Sequence, residues 1–112
     1  MDIVNELPEP IPTYLAAHRA HDADAALRCL TEDAVVVDDG HTHRGPDQIR
    51  VWLGRAASEY TYTTELVGAR RLDDGRYEAV HHLEGDFPGG AVDLHFRFTL
   101  RGGRIAQLVI EP

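Results

Sequence analysis

Residues 14–39 read YLAAHRAHDADAALRCLTEDAVVVDD, and this stretch predicts a helix, a second short helix and a buried strand. Asp22 is a good N-cap for the second helix, which the pattern continues to Glu32. The strand runs from Ala34 through three valines into Asp38. Burying an unpaired carboxylate is energetically costly, so Asp38 is the first residue that needs a functional explanation.

The N-terminal segment is rich in proline, which removes backbone donors and favours extended geometry. We therefore expect an extended arm over residues 1–11 and a first helix that starts near Pro12. One face of that helix carries Ile11, Tyr14, Leu15 and His18.

After Asp38 the pattern predicts a loop over residues 39–44 and a third helix from Pro46 to about Ser58, with proline in its first turn. From Tyr60 onward the hydrophobic period changes to two, which indicates four strands joined by tight turns. The third strand of the chain places Tyr77, Ala79, His81 and Leu83 on one face, and the fourth does the same with Val92, Leu94, Phe96, Phe98 and Leu100.

The last strand, residues 104–111, looks apolar on both faces, because Ile105 and Val109 alternate with Leu108 and Ile110. Another surface would then cover its outer face, and a homodimer is the simplest source of that surface. The order of elements predicts a single α+β domain over residues 1–112. In it, three N-terminal helices pack in a curved, mostly antiparallel sheet, which forms a cone whose mouth is a pocket.

The composition of the 112 residues is that of an ordinary globular protein, with 43% hydrophobic and 27% charged residues. The net charge of −8 and the absence of a basic cluster make nucleic acid and anionic membranes poor partners. The apolar runs are far shorter than a membrane span, and the N-terminus is acidic where a signal peptide would be positive, so we expect a soluble, cytoplasmic protein. The single cysteine, Cys29, fits a small buried hydrophobe better than a nucleophile.

Three motifs resemble the NTF2-like, or SnoaL-like, superfamily of cone-shaped α+β domains, which includes ketosteroid isomerases and polyketide cyclases. They are HDADAALRCLTEDAVVVDD, RGPDQIRVWL and HFRFTLRGGRIAQLVI. Tyr14 lies eight residues before Asp22 and Asp38 lies sixteen after it, which is similar to the spacing of the oxyanion-hole tyrosine and the general base in ketosteroid isomerases. The resemblance implies that Asp38 removes a proton α to a carbonyl and that Tyr14 hydrogen-bonds the resulting enolate.

One catalytic group of the family is missing from this chain. The family's second oxyanion donor is an inward-facing carboxylic acid on the penultimate strand, where this chain has Leu94 and Phe96. The inward-facing His81 is the polar side chain that could replace it. The expected pocket wall would leave Asp38 poorly solvated and hence a stronger base than a carboxylate in water. That wall consists of Val36, Trp52, Tyr77, Leu94 and Phe96.

The resemblance therefore implies a small, cofactor-free enzyme of the SnoaL-like group that isomerises, cyclises or dehydrates an apolar, carbonyl-bearing ring compound. The alternative is a non-catalytic ligand-binding or dimerisation module. Each site residue also has a structural alternative: Asp38 as a loop cap, Tyr14 as a core tyrosine and His81 as a core histidine. His41 and His43 could share a metal from one strand face, but no glutamate follows them at a suitable distance, so exposed loop histidines and no metal site are expected.

Overall fold

The computed structural model describes residues 7–59 and 61–112. It contains three helices and six strands among these residues, in mixed order. The helices are α1 (Pro10–Arg19), α2 (Ala23–Arg28) and α3 (Gly45–Glu59). The strands are β1 (Leu30–Asp38), β2 (His41–Arg44), β3 (Tyr62–Asp73), β4 (Arg76–Gly85), β5 (Ala91–Arg101) and β6 (Arg104–Glu111).

The six strands form one sheet in the order β2-β1-β6-β5-β4-β3. β1 pairs with β6 in parallel, and the remaining pairs are antiparallel. Bulges in the β3–β4 and β5–β6 pairings increase the local twist and bend the sheet. Apolar residues of the three helices pack with those of the sheet in one core, so the α+β class and the mostly antiparallel sheet are confirmed.

Two helix ends differ from the prediction: the start of α1 and the end of α2. α1 begins at Pro10, because proline is well suited to a first helical turn, so residues 10 and 11 belong to the helix and not to the arm. Residues 1–6 of the expected arm lie outside the described residues. α2 ends at Arg28, since Leu30 already pairs with Ile105 of β6. The predicted cap is confirmed: the Asp22 side chain accepts a hydrogen bond from the Ala25 amide.

The prediction of a loop over residues 39–44 was wrong, because His41–Arg44 forms strand β2. It pairs with the end of β1, and Asp39 and Gly40 make the turn with φ angles of 52° and 75°. Both residues adopt the left-handed conformation that a two-residue hairpin of the mirror-image type requires, and Asp-Gly is a favoured sequence for it. The end of β1, with Asp38, is thereby held on both sides by other strands.

The prediction that the last strand is apolar on both faces was also wrong, because β6 contains a bulge. Leu100 pairs with Ile105 but Thr99 pairs with Gln107, which leaves Ala106 as an extra residue in β6. The bulge reverses the alternation, so the buried residues before and after it face the same core: Ile105, Leu108 and Ile110. Val109 is half-buried on the other face. The apolar pattern of β6 therefore follows largely from the bulge, and Val109 is the apolar side chain that the strand carries on its outer face after the bulge.

The outer face of the sheet carries a buried carboxylate. Glu78 of β4 is 3% exposed, and its two oxygens accept hydrogen bonds from Nε of Arg70 at 3.0 Å and Nε of Arg97 at 2.9 Å. Burial alone would raise the pKa of Glu78, but the two guanidinium groups lower it overall. None of the helices in the described ranges is both long and apolar enough to cross a membrane.

Candidate functional site

A cavity of about 300 Å³ lies between α1, α3 and the inner face of the sheet. Its wall combines apolar side chains with a carboxylate, three histidines and an arginine. The lining residues are Leu15, His18, Arg19, His21, Asp38, Trp52, Thr61, Tyr62, Thr64, His81, Leu83, Leu94, Phe96 and Ile110. The cavity is thus open to a ring-sized molecule and contains several polar groups that could orient it.

Asp38 is the last residue of β1 and lines this cavity. Pairing places it beside Ile110 of β6, another lining residue. Its Oδ2 accepts a hydrogen bond from Nε1 of Trp52 at 2.9 Å, and Trp52 is 5% exposed. The half-buried carboxylate therefore has one oxygen fixed by a rigid neighbour.

Tyr14 does not line the cavity, contrary to the role that the resemblance implies. It is fully buried, with its ring edge-on to Phe98 at a centroid distance of 6.1 Å. Burial, and secondarily the charge of Asp38, raises the pKa of its phenol. The hydroxyl group lies 3.1 Å from Nδ1 of His18, one turn later in α1. The hydroxyl group of Tyr14 is thus linked to the cavity residue His18.

His18 is the cavity residue that takes the place expected for Tyr14. Its ring packs against Trp52 at 5.7 Å and edge-on to Phe96 at 6.1 Å between centroids. Burial lowers its pKa to about 4, with smaller contributions from His21 and His81, so the ring is neutral at pH 7. The tautomer of His18 with its proton on Nε2 lets the buried Tyr14 hydroxyl donate to Nδ1, its hydrogen-bond partner among the described residues.

His81 projects from β4 into the same cavity and is 8% exposed. Its ring lies 4.8 Å from that of Phe96. Burial, and then the charge of Arg19, lowers its pKa to about 4, so it is also neutral at pH 7. Its Nδ1 is buried without a hydrogen-bond partner among residues 7–59 and 61–112. An orphan acceptor is better tolerated than an orphan N–H, which favours the tautomer with the proton on Nε2.

Comparisons with known proteins agree with this fold. A model of the SnoaL-like domain matches residues 11–108. The chain belongs to the SnoaL-like family. A search of curated proteins finds none that matches.

Solved structures place this SnoaL-like chain among NTF2-like folds. A candidate polyketide cyclase from Sinorhizobium meliloti is 33% identical, with 95% of this chain and 96% of that chain covered and a TM-score of 0.88. A Catenulispora acidiphila protein with a ketosteroid isomerase-like fold, in complex with trimethylamine, is 21% identical over 94% and 85% of the two chains, with a TM-score of 0.80. An NTF2-like protein from Cytophaga hutchinsonii is 11% identical over 91% and 85%, with a TM-score of 0.72. The predicted superfamily is thereby confirmed.

Two residues expected in the pocket wall of the SnoaL-like domain lie elsewhere. Val36 is completely buried in the core two residues before Asp38 and does not line the cavity. Tyr77 pairs with Phe98 near the start of β4, away from the cavity, where it is half-buried against the core. By contrast, Trp52, Leu94 and Phe96 do line the cavity.

Tyr62, near the start of β3, supplies the phenol that lines the cavity. Burial, and then the nearby Asp38 carboxylate, raises the pKa of this half-buried side chain, so its hydroxyl keeps its proton and can donate. The sequence gives a local signal for His18, which follows Tyr14 by four residues on one helix face, but none for Tyr62. Its proximity to Asp38 depends on how the sheet curves, because β3 and β1 are not neighbouring strands.

The two histidines considered as metal ligands lie on strand β2. His43 is half-buried, with its ring 5.8 Å from that of Trp52, and His41 is exposed. Within the described ranges, no group of three or more His, Cys, Asp or Glu residues is arranged to hold a metal ion.

Proposed function

We propose that the chain is an enzyme that binds an apolar, carbonyl-bearing ring compound and catalyses its isomerisation, cyclisation or dehydration by general acid–base chemistry. The observation that carries the proposal is that a carboxylate and two neutral imidazoles line one cavity, which is large enough for a ring compound. The 33% identity to a candidate polyketide cyclase supports the class of substrate.

Asp38 is the general base of the proposed reaction. Trp52 holds one carboxylate oxygen, which leaves the other to take a proton from the carbon next to the substrate carbonyl. The same carboxylic acid then returns the proton to a different carbon in an isomerisation. In a dehydration, it protonates the departing hydroxyl group, which leaves as water. In a cyclisation, the carbanion attacks a second carbonyl, and the alkoxide that forms takes the proton back from Asp38.

The N–H groups of His18 and His81 stabilise the negative oxygen that forms on the carbonyl. With pKa values near 4, the two rings are poor bases at pH 7 and act as neutral hydrogen-bond donors. They would replace the second donor that the sequence comparison found missing at Leu94 and Phe96. The roles then divide according to environment, with one carboxylate as base and two imidazoles as donors.

The experiment that tests this proposal measures deuterium exchange at the carbon next to the carbonyl of 2-tetralone, a bicyclic ketone, by ¹H NMR in D₂O. We expect the protein to accelerate the exchange and Asp38→Asn to lower the catalysed rate by at least about 100-fold. Asp39→Asn removes the adjacent, exposed carboxylate and serves as the matched control, with little expected effect. Equal catalysed rates in the Asp38 and Asp39 variants would disprove the role of Asp38.

The second candidate function is a ligand-binding module without turnover. The hydrogen bond from Trp52 favours it, because a fixed carboxylate can also serve as an acceptor for a ligand's hydroxyl group. Tight binding of 2-tetralone to the wild type and to Asp38→Asn, with no catalysed exchange in either, would support this function over the enzyme.

We also propose that the domain forms a homodimer through the outer face of its sheet. On that face the half-buried Val109 lies beside Arg97, whose guanidinium group contacts Glu78 and Glu111. The apolar side chain surrounded by paired charges resembles a mixed interface more than a fully solvated sheet. Sedimentation equilibrium tests the proposal: a dimeric wild type and a monomeric Val109→Glu would support it, and a monomeric wild type would contradict it.

A further inference from the structure

Arg19, the last residue of α1, lines the cavity without a carboxylate partner in the part of the chain that the structure describes. By contrast, the exposed Arg50 pairs with Asp24 at 2.6 Å. The chain as a whole carries a net charge of −8, so acidic partners are abundant. A cation that lines the cavity and has no internal partner is available to a ligand.

Arg19 and Asp38 line this cavity from different elements. Arg19 ends helix α1 and acts electrostatically on His81 of β4, whereas Asp38 ends strand β1. Apolar side chains such as Phe96 line the same cavity. The cavity therefore offers a guanidinium group and a carboxylate on separate elements, together with apolar surface for a ring.

We propose that Arg19 binds an anionic group of the substrate, a carboxylate or an acidic phenol, and so directs the reacting carbon toward Asp38. The inference rests on the proposed function and narrows its substrate class from apolar ring compounds to ring compounds with an acidic substituent. A planar guanidinium matches a carboxylate with two parallel hydrogen bonds. The reverse orientation would bring two negative charges together at Asp38 and is disfavoured.

The expected contribution of Arg19 is moderate, because its side chain is exposed and therefore screened by water and salt. We expect an acidic ring compound to bind about five- to tenfold more tightly than its neutral analogue of the same shape. The preference should fall as the salt concentration rises, since the Debye length shortens.

Titration calorimetry with 2-naphthoate and the neutral 2-naphthamide tests the proposal. The wild type should prefer naphthoate, Arg19→Gln should bind both probes equally, and Arg19→Lys should keep part of the preference. Arg28→Gln is the matched control, because Arg28 is an exposed arginine at the end of α2 that does not line the cavity.

Equal binding of the two probes to the wild type would overturn the role of Arg19, as would a preference for naphthoate that Arg19→Gln retains. Neither result would affect the exchange of 2-tetralone, which has no acidic group and depends on Asp38. Loss of exchange in Asp38→Asn together with equal probe binding would leave the proposed function standing without this inference. Failure of both probes to bind would also reject the inference.

Discussion

Nε1 of Trp52 donates a hydrogen bond to Oδ2 of Asp38 over 2.9 Å, and this bond links helix α3 to the end of strand β1. The indole is almost fully buried, so it cannot turn away without disturbing the core. Asp38 is therefore aimed by a side chain fourteen residues later in the sequence. A carboxylate in this position is oriented before any ligand enters, which is the form of preorganisation that catalysis requires.

Replacing Trp52 by Phe removes this donor and keeps most of the aromatic wall. A hydrogen bond to a charged group contributes about 1.5–3 kcal/mol, so we expect the catalysed exchange of 2-tetralone to slow by roughly 10- to 100-fold. Its binding should change much less. An unchanged exchange rate in a folded Trp52→Phe variant would show that the indole does not orient the base.

Tyr14→Phe is expected to affect the cavity without touching a ligand. The change leaves Nδ1 of His18 without its 3.1 Å partner and should lower the free energy of unfolding by about 1 kcal/mol. Without the phenol, the ring of His18 should no longer be held in one tautomer, and ¹⁵N NMR of the imidazole ring reports the tautomer directly. Tyr62→Phe is the control, since it removes a cavity phenol and should leave the His18 tautomer as it is.

The pH dependence of stability follows from the buried histidines. The pKa values of His18 and His81 are about 4 in the folded chain and near 6.5 when the rings are solvated. The unfolded chain therefore binds more protons between these values, and stability falls as the pH drops from 6.5 toward 4. Each ring should account for a loss on the order of 2 kcal/mol between pH 7 and pH 4.5.

Urea denaturation of His81→Leu at pH 7 and pH 4.5 checks this sign, because the variant should lose less stability on acidification than the wild type. His82→Gln is a control for a histidine whose pKa is shifted in the opposite direction. Hydrogen bonds from its ring to Asp93 and Glu84 raise the pKa of His82, so its contribution is present at low pH and disappears as the pH rises through the folded value. Equal acid sensitivity of His81→Leu and the wild type would contradict the assignment.

Glu78→Gln should destabilise the sheet from its outer face. The substitution removes the negative charge between Arg70 and Arg97 and leaves two like charges close together. Both arginines retain access to water, so the expected loss is about 2 kcal/mol, below the full cost of an unpaired buried charge. Glu84→Gln, which changes an exposed carboxylate on the same strand, should have a much smaller effect on the denaturation midpoint.

Gly85→Ala should damage the start of β3, where two cavity residues lie. A Cβ at position 85 would overlap the Thr61 carbonyl oxygen and would lie 2.5 Å from Cβ of Tyr62. We expect a loss of roughly 1–3 kcal/mol in stability and weaker binding of 2-naphthoate. Gly54→Ala is the matched control, since a Cβ there meets open space in helix α3 and should stabilise the chain by about 0.5–1 kcal/mol. Equal thermal midpoints for the two variants would contradict the steric argument.

Local chemistry explains which features the sequence could predict. The Asp22 cap and the alternation in β4 and β5 depend on neighbouring residues, and they predict these elements directly. The hairpin turn at Asp39 and Gly40 also had a local signal, but the four strand residues after it, His41–Arg44, were too few to decide the pattern. The bulge at Ala106 had no local sequence signal, because it depends on how β6 pairs with β5.

The same difference between local signals and long-range packing applies to the residues of the site. The run of valines into Asp38 marked the carboxylate, and the inward face of β4 marked His81. Whether Tyr14 or His18 reaches the cavity depends on how α1 docks on the sheet, since both residues share one helix face. Tyr62 approaches Asp38 only in the folded sheet, which joins residues distant in the chain.

The parallel pairing of β1 with β6 also determines when the cavity can exist during synthesis. The hairpin β1–β2 joins the other strands of the sheet only through β6, which ends at Glu111. On the ribosome, Asp38 would emerge well before its neighbouring strand, because β6 begins at Arg104. Because such distant pairing forms slowly, the valines of β1 remain open to aggregation until β6 has left the exit tunnel.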